Sequence, residues 1–240
     1  EGELPDELGQ CAALEVLQLC DNQLTGCMPP SLCQCRKLRI LDLARNTLDG
    51  DIPDDLGQCL NKLESLDLSG NTLTGRVPAS LGQCRKLQMI DLHGNKQLEG
   101  PVPPELGRCG ALEKLNLANN SLEGGVPASL GQCVKLRLLD LSNNQLEGVA
   151  PASELALLSV LQTLRLHGNR GLTIPRNGKD EVEKALPTFC DFIWPKVTGR
   201  NHESEEHGGV GDAATCAVCG EEFPSRNKLK KHMKTIIVID

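Results

Sequence analysis

Aromatic residues are nearly absent from most of this 240-residue chain. They make up 2% of the sequence, Tyr is missing altogether, and all three Phe and the one Trp lie beyond residue 188. A globular core of this size normally uses Phe and Trp, because each buries a large apolar area. Residues 1–175 must therefore pack with aliphatic side chains, chiefly Leu, and such uniform packing suits identical stacked layers.

Long apolar runs and catalytic motifs are missing too. No run reaches the roughly 18–20 apolar residues that a membrane helix needs, and no signal peptide is present. The sequence contains no G-x-S-x-G, P-loop, H-E-x-x-H or kinase motif. We therefore predict no membrane span in this sequence and no enzymatic activity. Because residues 2–5, GELP, read as the tail of a repeat, we expect a fragment or a lost start.

An excess of positive charge is also lacking, since the net charge is −7. Residues 1–175 hold 15 Lys and Arg against 21 Asp and Glu, a net of −6, and residues 176–240 hold 10 against 11, a net of −1. A nucleic-acid-binding surface needs positive charge to neutralise phosphates. The acidic first part of the chain does not have that character.

What the sequence has instead is a repeat. The pattern L-x-x-L-x-L-x-x-N occurs seven times at steps of 24 or 25 residues, and it ends at Asn22, Asn46, Asn71, Asn95, Asn120, Asn144 and Asn169. A second series keeps nearly the same step at Cys11, Cys35, Cys59, Cys84, Cys109 and Cys133, with Leu158 in the last copy. Self-similarity at this period indicates a solenoid, in which each short unit is stabilised by its neighbours.

After each Asn the sequence continues as L-x-G-x-[IV]-P or a variant of it. The copies read LTGCMP, LDGDIP, LTGRVP, LEGPVP, LEGGVP, LEGVAP and, degraded, LTIP. Over residues 1–175 the chain thus resembles the plant-type subclass of leucine-rich repeat proteins. The resemblance implies an α/β solenoid with a parallel β-sheet on its concave side. It implies little about function, because the family binds proteins, peptides, steroids and sugars with one scaffold.

The residues between the repeated leucines predict a concave binding face. Side chains alternate along a strand, so Leu41 and Leu43 should point inward while Ile40 and Asp42 point outward. One outward row contains Gln18, Asp42, Asp67, Asp91, Asn116, Asp140 and Arg165, and the next contains Val16, Ile40, Ser65, Met89, Lys114, Leu138 and Thr163. From these rows we take as candidate binding residues Val16, Ile40, Asp42, Asp67, Met89, Asp91, Asn116, Leu138, Asp140 and Arg165.

Each row permits two interpretations. Four aspartates in near-register would attract a basic partner, or the row reflects ancestry alone, because L-D-L is common in the family. The apolar members of the second row would form a stripe, and contiguous exposed apolar area can mark a partner site. We expect a protein or peptide partner, although few aromatic or arginine side chains are available as hot spots.

Other repeat positions predict local structure. Each repeated Asn should be buried, with its amide bonding the backbone of its own loop and of the next coil. The L-x-G glycine permits a turn, and the following Pro ends any helix there. The L-G-Q-C-x-x-L segment predicts a short helical or 3₁₀ turn on the convex side. One extra residue after Asn95 and after Asn169 predicts small bulges.

The repeated cysteines permit two interpretations. They could form a metal or redox ladder, or they are small buried side chains in a Leu-sized slot. We favour the second interpretation. Cys20, Cys27 and Cys33 could pair, but a sequence alone cannot decide connectivity.

The periodicity ends after residue 175. In residues 176–197, Asp180 and Glu183 have the spacing of a capping box, which predicts a short helix through Ala185. We interpret this segment as a C-terminal cap whose aromatic residues would cover the open end of the leucine core: Phe189, Phe192 and Trp194. Residues 198–214 are polar and Gly-rich and are predicted to be a flexible linker.

Residues 215–240 contain a different motif. The spacing C-x2-C-x3-F-x5-L-x2-H, from Cys216 through Cys219 to His232, resembles a Cys2His2 zinc finger. The resemblance implies a small ββα module that zinc holds together. The second His of the family is missing, so the predicted zinc site lacks its fourth ligand, and we interpret the sequence as interrupted after Thr235. A basic helix there could contact nucleic-acid phosphates, through Arg226, Lys228, Lys230 and Lys231.

Three functions are compatible with these patterns. The first is a non-enzymatic scaffold that binds a protein or peptide on its concave face. The second is a zinc-dependent nucleic-acid-binding protein that acts through the finger, which requires DNA or RNA binding that survives deletion of residues 1–175. The third is a fragment of a receptor-like cell-surface protein, which requires a signal peptide and a membrane helix in the full-length gene.

The compartment is predicted from the cysteines, the finger and the glycosylation motifs. Repeated thiols without paired spacing favour a reducing compartment, and only Asn119 begins a glycosylation sequon. We therefore predict an intracellular protein of the cytoplasm or nucleus. The alternative is the cell surface or the extracellular space.

Overall fold

The structure is a computed structural model that describes residues 1–185, 191–193, 196–198, 214–215 and 222–223. The chain divides into two compact units, Glu1–Gly199 and Arg200–Asp240. The first unit is a stack of similar coils, as the repeat predicts. Each coil contributes a strand to the concave side and a short helical turn to the convex side.

The concave side is one parallel sheet of eight strands in which each strand pairs with those of the neighbouring coils. The strands are Val16–Gln18, Ile40–Asp42, Ser65–Asp67, Met89–Asp91, Lys114–Asn116, Leu138–Asp140, Thr163–Arg165 and Asp191–Ile193. The register places Val16 beside Ile40 and Gln18 beside Asp42, and the two predicted rows continue this way through the sheet. The repeat predicts seven of these strands, and the eighth comes from the segment interpreted as a cap.

Shorter parallel strands follow the loops after the repeated asparagines. They pair as Gly2–Glu3 with Leu24–Thr25, as Thr74–Arg76 with Gln97–Glu99, and as a set of four containing Glu123–Gly124, Gln145–Val149, Gly171–Pro175 and Lys196–Thr198. Sequence analysis did not predict these strands. Their backbone hydrogen bonds join the coils along a second side of the solenoid.

The convex side carries the predicted helical turns. Five are 3₁₀ helices, at Asp6–Gln10, Pro30–Gln34, Ala79–Gln83, Pro104–Arg108 and Ala128–Gln132. Two are single α-helical turns, at Leu56–Cys59 and Ala152–Leu155. In most of them an extended Pro stands directly before the turn, where its fixed φ is tolerated.

One apolar core runs through the stack from Leu4 to Val182. The strand centres, such as Leu66 and Leu115, are fully buried. Burial of each such Leu stabilises the fold by roughly 1.5–3 kcal/mol. Because every coil shares its leucines with the coils on both sides, no coil has a core of its own.

The repeated asparagines join adjacent coils, as Asn71 illustrates. Its Nδ2 donates to the carbonyls of Leu68 and Ser69 in its own coil and of Leu43 in the preceding coil, and its Oδ1 accepts the Leu48 N–H at 3.0 Å. The prediction of a buried Asn is confirmed from the second repeat onward. The prediction that its second partner lies in the next coil is wrong, because the amide reaches back to the preceding one.

The extra residue after Asn95 alters this pattern. It redirects the Leu98 N–H to the Asn95 carbonyl at 2.9 Å. In the regular coils the equivalent N–H donates to the Oδ1 of the following Asn. Asn120 Oδ1 is therefore buried without a hydrogen bond in the described part of the chain. The predicted bulge thus has a specific effect on the asparagine of the next coil.

The residue before each repeated Asn adopts the left-handed backbone conformation. In three coils it is Gly, and in the others φ lies between 52° and 57° at Asp21, Arg45, Asn119 and Asn143. Asp and Asn tolerate this region better than other non-glycine residues. Arg45, the exception, forms an ion pair with Asp21 at the equivalent position of the preceding coil.

The cysteine series follows the favoured interpretation in four coils. Cys35, Cys84, Cys109 and Cys133 are buried, and each thiol lies within 3.2–3.5 Å of a carbonyl oxygen in the preceding coil. Burial, together with the neighbouring Cys109 thiol, raises the pKa of Cys84 to about 12, so this thiol stays protonated. The interpretation is wrong for Cys11, which is exposed, and for Cys59.

Cys59 leaves the series because the third coil has one residue more between its Cys and the next repeated Leu. Leu60 fills the buried slot instead, and Cys59 forms a disulfide with Cys33 of the second coil. Cys33 itself stands where other coils have Gly, and a Cβ on Gly82 would lie 2.3 Å from the Glu105 carbonyl oxygen. The additional residue shifts the third coil, and the shifted coil accommodates a side chain that the regular stack excludes.

The segment after residue 175 begins with the helix Arg176–Ala185. The helix ends where predicted, but it starts four residues before Asp180, so the prediction that Asp180 caps it is wrong. Val182 is fully buried in the common core. Phe189 and Trp194 lie outside the described residues, as does the side chain of Phe192.

The second unit contains two described strands, Ala214–Thr215 and Glu222–Phe223, which pair antiparallel. They lie on either side of the stretch where the zinc-finger-like motif predicts a hairpin turn. The proposed zinc ligands Cys216, Cys219 and His232 lie outside the described residues. So do the proposed nucleic-acid contacts Arg226, Lys228, Lys230 and Lys231.

Candidate binding face

The two predicted rows lie side by side on the concave sheet. In the second row Val16 is 44% exposed, and Ile40, Met89 and Leu138 are half-buried. Ser65 and Lys114 interrupt this apolar stripe. A half-buried apolar side chain on a rigid sheet offers contact area without a flexible backbone, so this row suits a polypeptide laid across the strands.

Asp91 is the centre of a polar cluster in the first row. Its side chain is almost fully buried, and its Oδ1 lies 2.7 Å from His93 Nδ1. Its Oδ2 lies 2.7 Å from Lys114 Nζ and 3.2 Å from Asn116 Nδ2. Burial alone would raise the pKa of Asp91, but the hydrogen bonds from Lys114 and His93 outweigh it and hold that pKa below its ordinary value.

Asp140 repeats this arrangement two coils further on. Its Oδ1 accepts hydrogen bonds from the Ser142 hydroxyl at 2.6 Å and the Ser142 N–H at 3.0 Å. Its Oδ2 lies 3.3 Å from Arg165 Nη1. The prediction that Asp91 and Asp140 are exposed is therefore wrong, because both carboxylates are buried and face partners within the protein.

Asp42 and Asp67 differ from these two aspartates. Both are half-buried, and each accepts hydrogen bonds from residues two positions later, at Ala44 N–H and at Ser69. Neither forms an ion pair within the described part of the chain. The concave face is thus acidic in its second and third coils and carries anchored cations, Lys114 and Arg165, from the fifth coil onward.

The sequence analysis overlooked Lys114 as a site residue. Its side chain is 37% exposed, and its ammonium is held by the buried Asp91. The signal that could have identified Lys114 is its position on the strand that follows Asp91, where its side chain can reach the aspartate. Asn116, which was selected, lies half-buried beside it and donates to the same carboxylate.

One cluster of side chains resembles a metal centre. Within the structurally described residues, one group of three potential ligands occurs, formed by Cys33, Asp55 and Cys59. Because the two sulfurs form a disulfide, they do not offer thiolates to a metal. No helix within the described part is long and apolar enough to cross a membrane.

Three family models match the chain. The description "Leucine rich repeat" matches residues 50–96, and a second model of that description matches residues 13–35 and 37–59. The model "Leucine-rich repeat and WD repeat-containing protein 1, LRR" matches residues 79–199, half of the chain. No curated protein sequence matches the chain.

Solved structures of plant receptors are similar to the chain. A TDR receptor superposes with a TM-score of 0.73 at 29% identity, over 82% of this chain and 33% of that one. The ectodomain of the Arabidopsis thaliana membrane receptor kinase GASSHO1/SCHENGEN3, solved with CASPARIAN STRIP INTEGRITY FACTOR 2, gives 0.59 at 33%, over 77% and 25%. The Arabidopsis receptor kinase HAESA, solved with the peptide hormone IDA and the co-receptor SERK1, gives 0.65 at 31%, over 72% and 28%.

This chain therefore spans a quarter to a third of the length of these three structures. The similarity corrects the predicted compartment. Two of the three are described as receptor kinases, one of them as the ectodomain of a membrane receptor kinase, which points to the cell surface or the extracellular space. The prediction of an intracellular protein is wrong, and the disulfide between Cys33 and Cys59 fits the corrected compartment.

Proposed function

Because the chain belongs to the leucine-rich repeat family, we propose that it is a non-enzymatic scaffold that binds a peptide or protein on its concave face. The concave sheet is the main support for this proposal, because it presents aligned side chains from successive strands on a rigid surface. The apolar stripe of Val16, Ile40, Met89 and Leu138 would supply contact area. The acidic residues Asp42 and Asp67 at one end and Lys114 at the other would fix the direction of the ligand.

The similar structures support a peptide as the ligand. HAESA was solved with a peptide hormone and a co-receptor. By analogy, the chain is part of a receptor-like protein of the cell surface, and its repeats belong to the plant-type subclass marked by L-x-G-x-[IV]-P. The remaining candidate contacts, Asn116 and Arg165, flank the stripe on the C-terminal side. Asp91 and Asp140 act indirectly, by holding the cations in place.

A selection from a phage-displayed library of random 12-residue peptides on the full chain tests this proposal. Selected peptides should bind in solution and should lose at least tenfold in affinity to Met89→Arg, because a charged side chain there disrupts the apolar stripe. Gln83→Arg, which adds the same side chain on the convex side, is the control. Peptides that bind both variants equally, or a selection that yields none, would refute a concave site.

The C-terminal module is a separate proposal. The spacing of Cys216, Cys219 and His232 supports a zinc site with three protein ligands. Zinc measured by mass spectrometry on the purified full chain should approach one ion per chain and should disappear in a Cys216→Ser, Cys219→Ser variant. A chain without zinc would instead support the interpretation that the motif is interrupted. Nucleic-acid binding by this module is the alternative, and it would appear as salt-dependent binding to a DNA duplex.

A further inference from the structure

A patch of exposed cations lies away from the concave rows. It occupies the edge along which the chain passes from the convex turns to the concave strands in the second, third and fourth coils. Five residues, which we call the basic edge, form it: Arg36, Lys37, Lys62, Arg85 and Lys86. All five are exposed, although residues 1–175 carry a net charge of −6.

The repeat aligns these cations in a row. Lys37, Lys62 and Lys86 each stand directly before a repeated Leu, at Leu38, Leu63 and Leu87, so they occupy the same slot in successive coils. Neighbouring strands lie about 4.8 Å apart, and the row therefore spans about 10 Å. The three lysines lie in the turns that precede these strands, and like charges at such spacing repel one another.

The fold does not require a cation in this slot. Ala13, Ala111 and Val160 occupy it in the first, fifth and seventh coils. The three consecutive lysines thus oppose stability without serving the packing. A binding role explains why they stand together on adjacent coils.

The basic edge has no ion-pair partner within the described part of the chain. Glu64, in the adjoining row, pairs with Arg39, whose Nη2 lies 2.9 Å from Glu64 Oε2. Arg39 also pairs with Glu15. Lys86 attracts Glu64 only at longer range, so Arg39 holds the neighbouring acids and the cations of the edge can pair with a partner.

We infer that the basic edge is a second docking surface, distinct from the concave face, and that it binds an acidic segment of a polypeptide partner. Charge complementarity identifies the partner's chemistry. An extended segment of about three or four residues spans the 10 Å row, so successive Asp or Glu side chains would meet cations from all three coils. The cations form an open row rather than an enclosed cluster, which suits several carboxylates better than a single phosphate.

Fluorescence anisotropy of a labelled deca-glutamate peptide on the full chain tests the inference. The basic-edge variant is Lys37→Gln, Lys62→Gln, Lys86→Gln. The matched control is Lys96→Gln, Arg108→Gln, Lys135→Gln, which removes the same charge from three other exposed positions and includes one lysine of the same slot. The basic-edge variant should bind about tenfold more weakly, since each exposed ion pair contributes modestly, and the control should stay within twofold of the wild type.

Affinity should also fall as salt is raised from 50 to 300 mM, because the contact is electrostatic. A (Gly-Gln)5 peptide should not bind. Absence of deca-glutamate binding, or equal loss in both variants, would overturn the inference. Preferential binding of phosphatidylserine vesicles or heparin through the same three lysines would overturn it as well, by assigning the edge to a lipid or polysaccharide. Unfolding midpoints of both variants in urea verify that each is folded.

Discussion

At the residue scale, the repeated asparagine has the most demanding environment. Asn71 makes three donor contacts and one acceptor contact, all with backbone groups, and its Oδ1 is the one acceptor that the buried Leu48 N–H has in the described structure. No apolar side chain of similar size can replace these contacts. The sequence therefore repeats Asn more strictly than any other polar residue.

Asn71→Ala should lower the free energy of unfolding by about 1–3 kcal/mol, because it leaves the buried Leu48 N–H without its acceptor. Urea unfolding followed by circular dichroism measures this loss. Asn22→Ala is the control, since Asn22 is exposed and bonds only its own coil. Asn120→Ala should cost less than Asn71→Ala, because Asn120 Oδ1 has no partner to lose within the described structure. Equal effects at all three positions would contradict the account.

The ion pair between Lys114 and Asp91 should make the stability of the fold depend on pH. The pKa of Asp91 is depressed in the folded state, so its stabilising contribution is present above the ordinary pKa near 3.9 and is lost as pH falls below it. Lys114→Met removes the group that contributes most to lowering the pKa of Asp91. The variant should lose about 1–3 kcal/mol at pH 7, and the difference from wild type should shrink below pH 4.

Urea midpoints at pH 7 and pH 3 measure this dependence. Lys135→Met, which changes an exposed lysine without an ion pair in the described part of the chain, should leave the stability unchanged at both values. A Lys114→Met effect of the same size at pH 7 and pH 3 would show that packing, not charge, determines it.

At the scale of elements, the second and third coils are the irregular part of the stack. Three deviations from the repeat occur together here. They are the additional residue in the third coil, the cysteine in place of glycine at position 33, and the disulfide between the two coils. The Cys33 side chain needs the displaced coil, and the displaced coil brings Cys59 to Cys33. We interpret the disulfide as a covalent link that holds this irregular junction together.

Reduction of the Cys33–Cys59 disulfide should lower the melting temperature. The chain-entropy estimate for its separation of 26 residues is a loss of about 3.5 kcal/mol. Calorimetry with and without reductant, and on Cys33→Ser, Cys59→Ser, measures the change. Cys27→Ser, which alters an exposed free thiol, is the control. A melting temperature of the double variant that equals the wild type would show that the crosslink does not stabilise the junction.

Sequence analysis predicted the regular elements because their periods are explicit. Alternating leucines define the concave strands, and the register of Val16 with Ile40 follows from the step of the repeat. The short strands of the second side escaped prediction because two to five residues show no alternation. The pairing of Cys33 with Cys59 escaped it because the cysteine spacing conceals the additional residue that moves Cys59 out of the core.

The candidate site was predicted less well than the fold. The sequence locates the two outward rows, but exposure depends on neighbours that it does not specify. Asp91 and Asp140 are buried because Lys114 and Arg165 on the following strands, together with His93 and Ser142, cover their carboxylates. Lys114 reaches Asp91 diagonally from the other row, and His93 and Ser142 lie two residues after the aspartates in the chain, so a row read along one strand position misses these contacts.

At the scale of the whole molecule, the solenoid has one core without internal boundaries. Leu115→Ala in the central strand should cost about 2–5 kcal/mol. Hydrogen exchange should show an equal loss of protection at the first and last concave strands, because the coils unfold together. Gln83→Ala, an exposed convex change, should leave exchange unaffected. Loss confined to the coils beside Leu115 would show that distant coils unfold separately.

The backward reach of each asparagine also bears on how the protein is made. A ribosome adds about 5–20 residues per second, so a coil of about 25 residues takes roughly 1–5 s to synthesise. Until the next Asn arrives, the amide of a residue such as Leu48 waits at the growing tip without its acceptor. Each nascent coil thus docks on the coil before it and supplies the acceptor that this coil lacks, so synthesis from the N-terminus favours assembly in the same direction.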